Sequence, residues 1–172
     1  MYTLEKATDN DIPLCYRIVD DRRKFQQAQG FVQWTAEYPN IDTVSEDIMS
    51  QKGYVIKKGS KIAAYMCIDF SGEPAYDSIE GHWHTDSKYA VIHRLSVKSD
   101  FRNSGLSDTI FRLAEEFCLK NDITCIRLDT GFENKRMQHI IEKHGFTHCG
   151  TVFFQGGCRI AYDKLLSHGQ NG

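Results

Sequence analysis

Apolar residues recur along this chain with two periods, and the switches between them mark its elements. Residues 2–7 alternate as a first strand, and Thr8 to Asp11 offer capping side chains to a helix. The apolar positions of that helix, Ile12, Cys15, Ile18 and Val19, keep helical spacing, and it should fade near Gly30. After an aromatic, irregular stretch over 31–40, Thr43 and Glu46 form a T-x-x-E capping box ahead of Ile48 and Met49, predicting a short second helix. Residues 54–57 and 62–69 are β-rich runs joined by Lys58-Gly59-Ser60-Lys61, a hairpin turn in which glycine supplies the awkward dihedral. A polar excursion over 71–88 then leads into 89–97, the most strand-like run of the chain.

From Leu106 onward Ile110, Leu113, Ala114, Phe117 and Cys118 trace one helical face, with Asp108, Arg112, Glu115, Glu116 and Lys120 opposite. Residues 123–130 predict another strand. Met137, Ile140, Ile141 and His144 predict a helix stopped by Gly145, and strands over 147–154 and 159–164 close the chain. Strand, two helices, three strands, helix, strand, helix and two strands, without repeats, make a mixed α/β sheet. A chain of 172 residues, 41% hydrophobic and 26% charged, fits one domain over 1–166, with a small, polar, flexible tail over 167–172.

A net charge of -2 gives no global positive field for nucleic acid or an anionic membrane, so a phosphate-bearing ligand must be held locally. The start lacks a basic segment followed by an apolar one, and no run of about 18 apolar residues occurs, which predicts an unanchored, cytoplasmic protein. Six cysteines without CxxC pairs read as free, buried thiols. His82-Trp83-His84 lacks a third ligand at regular spacing, so no metal is expected. HExxH, GxxxxGK and GxSxG are all missing, which removes zinc-protease, P-loop and hydrolase-elbow chemistry.

Chemistry concentrates in Leu95-Ser96-Val97, at a strand end, and Arg102-Asn103-Ser104-Gly105-Leu106-Ser107, entering a helix. A helix N-terminus carries unsatisfied N–H groups and about half a unit of positive charge. Gly105 lets an anion approach the backbone closely, as a nucleotide diphosphate requires. This segment resembles the GCN5-related N-acetyltransferase family, whose loop reads Gln/Arg-x-x-Gly-x-Gly/Ala after an L-x-V strand end. Arg102, Gly105 and Leu95-x-Val97 match in register, while Ser107 stands where Gly or Ala is usual. Asn134, with Gly145-Phe146 eleven and twelve residues on, extends the resemblance through the C-terminal half. Gln33-Trp34, Tyr38-Pro39, 91–95 and 127–130 are similar to an uncharacterised bacterial subgroup.

The resemblance implies a single-domain fold in which helices cover both faces of a mixed sheet, splayed between the fourth and fifth strands (89–97 and 123–130). It also implies acetyl-CoA as co-substrate and a primary amine as acceptor, of a small molecule in the first place and of a peptide in the second. The amine attacks the thioester directly in a ternary complex. Backbone amides around Leu95, Ser96 and Val97, freed by a bulge, hold pantetheine and thioester, and Arg102 to Ser107 hold the diphosphate. Family members often pair, so a homodimer is compatible. His93, on the strand face of Leu95, resembles a histidine used as base in the arylalkylamine branch; the alternative is a buried strand histidine with a satisfied hydrogen bond. Arg94 reads as one half of an ion pair, with Asp129 as a candidate partner. Asn134 either touches the pantetheine arm or caps its helix. Trp34 and Tyr38 offer aromatic surface to an acceptor or, for Trp34, pack on the sheet. Ile141 stands where the family commonly has the tyrosine acid, leaving Tyr38 and Cys149 as other proton sources and a non-catalytic acyl-CoA-binding module as the second hypothesis.

Overall fold

A computed structural model describes residues 1–169 of the chain. Its elements are β1 (Tyr2–Lys6), α1 (Ile12–Ala28), α2 (Ile41–Met49), β2 (Gly53–Lys58), β3 (Lys61–Asp69), β4 (Glu80–Gly81) and β5 (Ala90–Val97), followed by α3 (Leu106–Lys120), β6 (Cys125–Gly131), α4 (Lys135–Lys143), β7 (Thr147–Phe154) and β8 (Gly157–Leu165). The strands form one mixed sheet in the order β1-β2-β3-β5-β6-β8-β7-β4. Its β5–β6 pair is parallel, whereas β1–β2, β2–β3, β6–β8, β8–β7 and β7–β4 are antiparallel. The mixed α/β architecture is therefore as the sequence predicts. Residues cluster into two compact units, the first made of 1–68 and 92–110, the second of 69–91 and 111 onward.

In the first unit, the Thr8 amide and hydroxyl both donate to Asp11 Oδ2, at 2.8 and 3.0 Å, ahead of α1. Helix α2 begins three residues earlier than the Thr43–Glu46 box implies. Its cap is Asn40, whose Oδ1 accepts from the Thr43 amide at 3.0 Å while the Thr43 hydroxyl receives the Asn40 N–H at 3.2 Å. The box exists, then, but with threonine as its third helical residue rather than its cap. The core of this unit gathers Cys15, Ile18 and Val19 of α1, Val44 and Ile48 of α2, Trp34, and Val55, Ile62 and Tyr65 from the β2–β3 hairpin. That hairpin turns at Gly59 (φ 61°), where the left-handed conformation is cheap only for glycine.

The second unit departs most from expectation over 71–88. A 3-10 turn over Pro74–Ser78 buries Tyr76 completely, and β4 adds an edge to β7. The Tyr76 hydroxyl donates to Asp129 Oδ2 at 2.7 Å, and the Trp83 indole donates to the Tyr76 carbonyl at 3.0 Å. The Arg127 guanidinium lies 4.3 Å from the Trp83 ring centroid and 3.9 Å from that of Tyr89, so cation–π contact fixes the excursion from within. Alternation could not show this, because each anchor is an isolated aromatic in a polar run. Strand β7 has the predicted bounds. Five cysteines are free and buried, but Cys158 is exposed, against the expectation for all six. Among the described residues no helix is long and apolar enough to cross a membrane. Residues 170–172 of the expected tail lie outside the described residues.

Candidate active site

Arg94 interrupts β5: its φ of 56° is left-handed, a conformation that costs a non-glycine residue of order 1–3 kcal/mol and persists only when its surroundings impose it. The imposing group is Asp47 of α2. Arg94 Nε donates to Asp47 Oδ2 at 2.8 Å and Nη2 to Oδ1 at 2.5 Å, a bidentate pair in which both side chains are nearly buried. Burial pulls the guanidinium down, but the Asp47 carboxylate outweighs it and holds Arg94 above its ordinary pKa. The Tyr65 hydroxyl gives Asp47 Oδ2 a further bond at 2.7 Å, and Arg94 Nη1 donates to the Tyr38 hydroxyl oxygen at 2.8 Å. Burial, then Asp47, pushes the Tyr65 phenol well up, so it remains a donor. Ser96, fully buried, donates from Oγ to the Arg94 carbonyl at 3.0 Å and so braces the irregularity within the strand.

The ion pair predicted for Arg94 exists, with Asp47 as its partner instead of Asp129. Asp129 is occupied elsewhere, by Tyr76 at 2.7 Å and Arg159 at 3.9 Å, and burial raises its carboxyl. The left-handed residue between His93 and Leu95 also breaks the alternation from which a shared face was expected: His93, Arg94 and Leu95 are all half-buried.

Beyond β5, Lys98 N donates to the Ala63 carbonyl at 2.8 Å and a 3-10 turn over Ser99–Phe101 redirects the chain. Asn103 (φ 58°) and Gly105 (φ 74°) are both left-handed, and Asn103, Ser104 and Gly105 are exposed immediately before α3. A Cβ placed on Gly105 would meet nothing within 4 Å, so the space above this turn is open. Leu106 is buried and anchors the first turn of α3, while Ser107 beside it is half-buried. The Arg102 guanidinium sits 4.7 Å from the Phe25 ring centroid, and its Nη2 is buried without a hydrogen-bond partner. The structure thus brings His93, Leu95, Ser96, Val97 and the turn 102–107 into one unit.

The other expected residues have surroundings of their own. Trp34 is only 6% exposed, packed in the first core with Arg22 4.8 Å from its ring centroid. Tyr38, half-buried, is held by Arg94. Asn134 caps α4, its Oδ1 accepting from the Met137 amide at 3.2 Å. Ile141 is buried. Burial, then the Asp163 carboxylate, pushes the Cys149 thiol up to about 12, out of range for an acid working near neutrality. Asp47 and Tyr65 escaped sequence reasoning because a helix aspartate and a strand tyrosine carry no local sign of a shared arginine.

Comparison with known proteins follows the same lines. The family model described as acetyltransferase (GNAT) family matches residues 16–146. No curated protein sequence matches the chain. Among solved structures, a GNAT-family acetyltransferase from Streptococcus agalactiae is 29% identical, with TM-score 0.88 and coverage of 97% of this chain and 96% of its own. The structure of AAC(6')-Ib in complex with ribostamycin and coenzyme A is 22% identical, with TM-score 0.70 and coverage of 95% and 93%. The ribosomal-protein-S18-alanine N-acetyltransferase of Escherichia coli is 16% identical, with TM-score 0.64 and coverage of 99% and 98%. The last two establish likeness of fold alone.

Proposed function

This chain belongs to the acetyltransferase (GNAT) family, and from that premise we propose that it moves the acetyl group of acetyl-CoA to a primary amine of a small molecule, by direct attack in a ternary complex. The observation that carries the proposal is the open, left-handed turn at Gly105 entering α3, in the same unit as the irregular strand end at Arg94. The first four amides of a helix have no intrahelical acceptor and carry the positive end of its dipole, which suits a diphosphate. The buried, unpartnered Nη2 of Arg102 adds an unsatisfied donor next to that turn.

The bulge has a separate task. A left-handed residue turns the following peptide out of the ladder, so the amides of Leu95 to Val97 are the groups to bind the pantetheine arm and the thioester oxygen as it gains charge. The acceptor amine must shed a proton as its nitrogen bonds the carbonyl carbon. His93, half-buried beside the bulge, is the base of this proposal, directly or through water. Carbon–sulfur cleavage releases coenzyme A as a thiolate; an ordinary thiol titrates at about 8.5, so water can protonate it without the acid that Ile141 replaces. Tyr38, fixed by Arg94, is the group we assign to the acceptor, while Trp34 is packed in the core of the first unit. An aminoglycoside acetyltransferase among the structural neighbours agrees with a small amine, and the ribosomal-protein enzyme keeps a peptide amine as the second choice.

Buried Ile141 favours one other reading, a module that binds acyl-CoA without turnover. A single assay separates them: incubate the protein with acetyl-CoA and a panel of amines, follow release of free thiol, and repeat with His93→Ala across pH. Amine-dependent release, reduced about 10²- to 10⁴-fold in His93→Ala, supports an enzyme with this base. Binding without release on any amine supports the module, and a wild-type pH profile in His93→Ala removes the base.

A further inference from the structure

His82-Trp83-His84 has too few ligands in sequence to hold a metal, but the second unit supplies two more from far along the chain. His84 Nδ1 lies 2.7 Å from Asp163 Oδ1 and 3.4 Å from Cys149 Sγ, and the three donor atoms all lie within 4.8 Å of one another. Three features of the backbone converge on this arrangement. The β7–β8 register shifts between His148, opposite Tyr162, and Gly150, opposite Ala161, so Cys149 is the extra residue of a bulge, a device that re-aims a side chain. β4 is drawn against the same bulge by two glycines: a Cβ on Gly81 would stand 2.2 Å from the Cys149 carbonyl oxygen, and one on Gly150 would stand 2.1 Å from that of Glu80. The His82 amide then donates to the Cys149 carbonyl at 3.1 Å and the His84 amide to Asp163 Oδ2 at 2.7 Å, fixing the histidine over the pair.

We propose that His84, Cys149 and Asp163 form a structural site for Zn²⁺ or a like borderline divalent cation, clipping the segment after β4 to strands β7 and β8. Asp163 is completely buried, so its charge requires a partner. A zinc ion with one thiolate, one carboxylate and one neutral imidazole sums to zero charge, which suits that interior. Imidazole, thiolate and carboxylate are each ordinary zinc ligands, whereas magnesium and calcium prefer oxygen alone. Bonds of about 2.0–2.3 Å in a tetrahedron separate ligand atoms by about 3.3–3.7 Å. Sulfur and nitrogen are already at that spacing, and the imidazole–carboxylate contact must open by about half an ångström. The His84 side chain is 38% exposed, so solvent reaches this side of the cluster to supply a fourth ligand, and exposed His82 lies nearby, its ring centroid 6.4 Å from that of His84. Binding breaks the Cys149 S–H bond and releases that proton to solvent; no redox change is involved.

The test uses the full chain carrying Cys158→Ser, which removes the exposed thiol. Metal-free protein is titrated with Co²⁺, read by its thiolate charge-transfer absorption, then with Zn²⁺, and Tm is followed. The proposal predicts one Co²⁺ per chain with a thiolate band, displacement by Zn²⁺ and a Tm that rises with Zn²⁺. His84→Ala, at an exposed position, and Cys149→Ala should each weaken Zn²⁺ by at least about a hundredfold and abolish the Tm rise, with the band lost in Cys149→Ala. Absence of a thiolate band in the parent, or equal affinity in either variant, overturns the site.

Discussion

Arg94 and Asp47 form a buried contact at the strand end on which the proposed chemistry relies. Both side chains are nearly out of solvent, at 10% and 8% exposure, so removing either leaves a charge with no compensation. Asp47→Ala is expected to destabilise the protein by about 3–5 kcal/mol in urea unfolding and to lower kcat, because Arg94 loses the force that holds it left-handed. A loss below about 1 kcal/mol would show the pair to be incidental. The sequence disclosed that Arg94 needs a counter-charge but offered Asp129, only two residues from the similarly strand-like Arg127. Which aspartate answers is decided by helix α2 in the first unit and by Tyr76 in the second, neither of which local pattern can see.

Elements were legible wherever one face is apolar. The periodicity of Leu106 to Cys118 and the glycines at 59 and 145 mark α3, the hairpin and the end of α4 through the same physics that folds them. Where a cap decides, types compete: Asn40 precedes Thr43 by three residues, both can cap, and asparagine prevails because its side chain reaches the third amide while threonine returns the bond. Asn40→Ala should therefore cost about 1 kcal/mol, whereas Glu46→Ala should leave stability within about 0.5 kcal/mol. The opposite ranking in thermal or urea unfolding would restore threonine as the cap. Strand β4 was illegible for a different reason. Two residues form no pattern, and its existence rests on Gly81 and Gly150 admitting one backbone to another.

For the molecule as a whole, order carried more than composition. A net charge of -2 gives no long-range attraction for a polyanion, and the proposed coenzyme A site accordingly relies on a few main-chain amides and Arg102 at one turn. That turn was readable because Arg102, Gly105 and the strand end before them keep a fixed spacing, whereas the bonds that tie Tyr38 to Arg94 and Arg94 to Asp47, far apart in sequence, were not. The proposed cofactor site is tested most directly by titrating coenzyme A into the wild-type chain and into Gly105→Glu, with circular dichroism as the check on folding. Gly105 has φ 74° and open space above it, so the glutamate would place bulk and negative charge in the space proposed for the diphosphate. One saturable site per chain, weakened at least about a hundredfold in a folded Gly105→Glu, is the expected result. Equal affinity in the two proteins would contradict it.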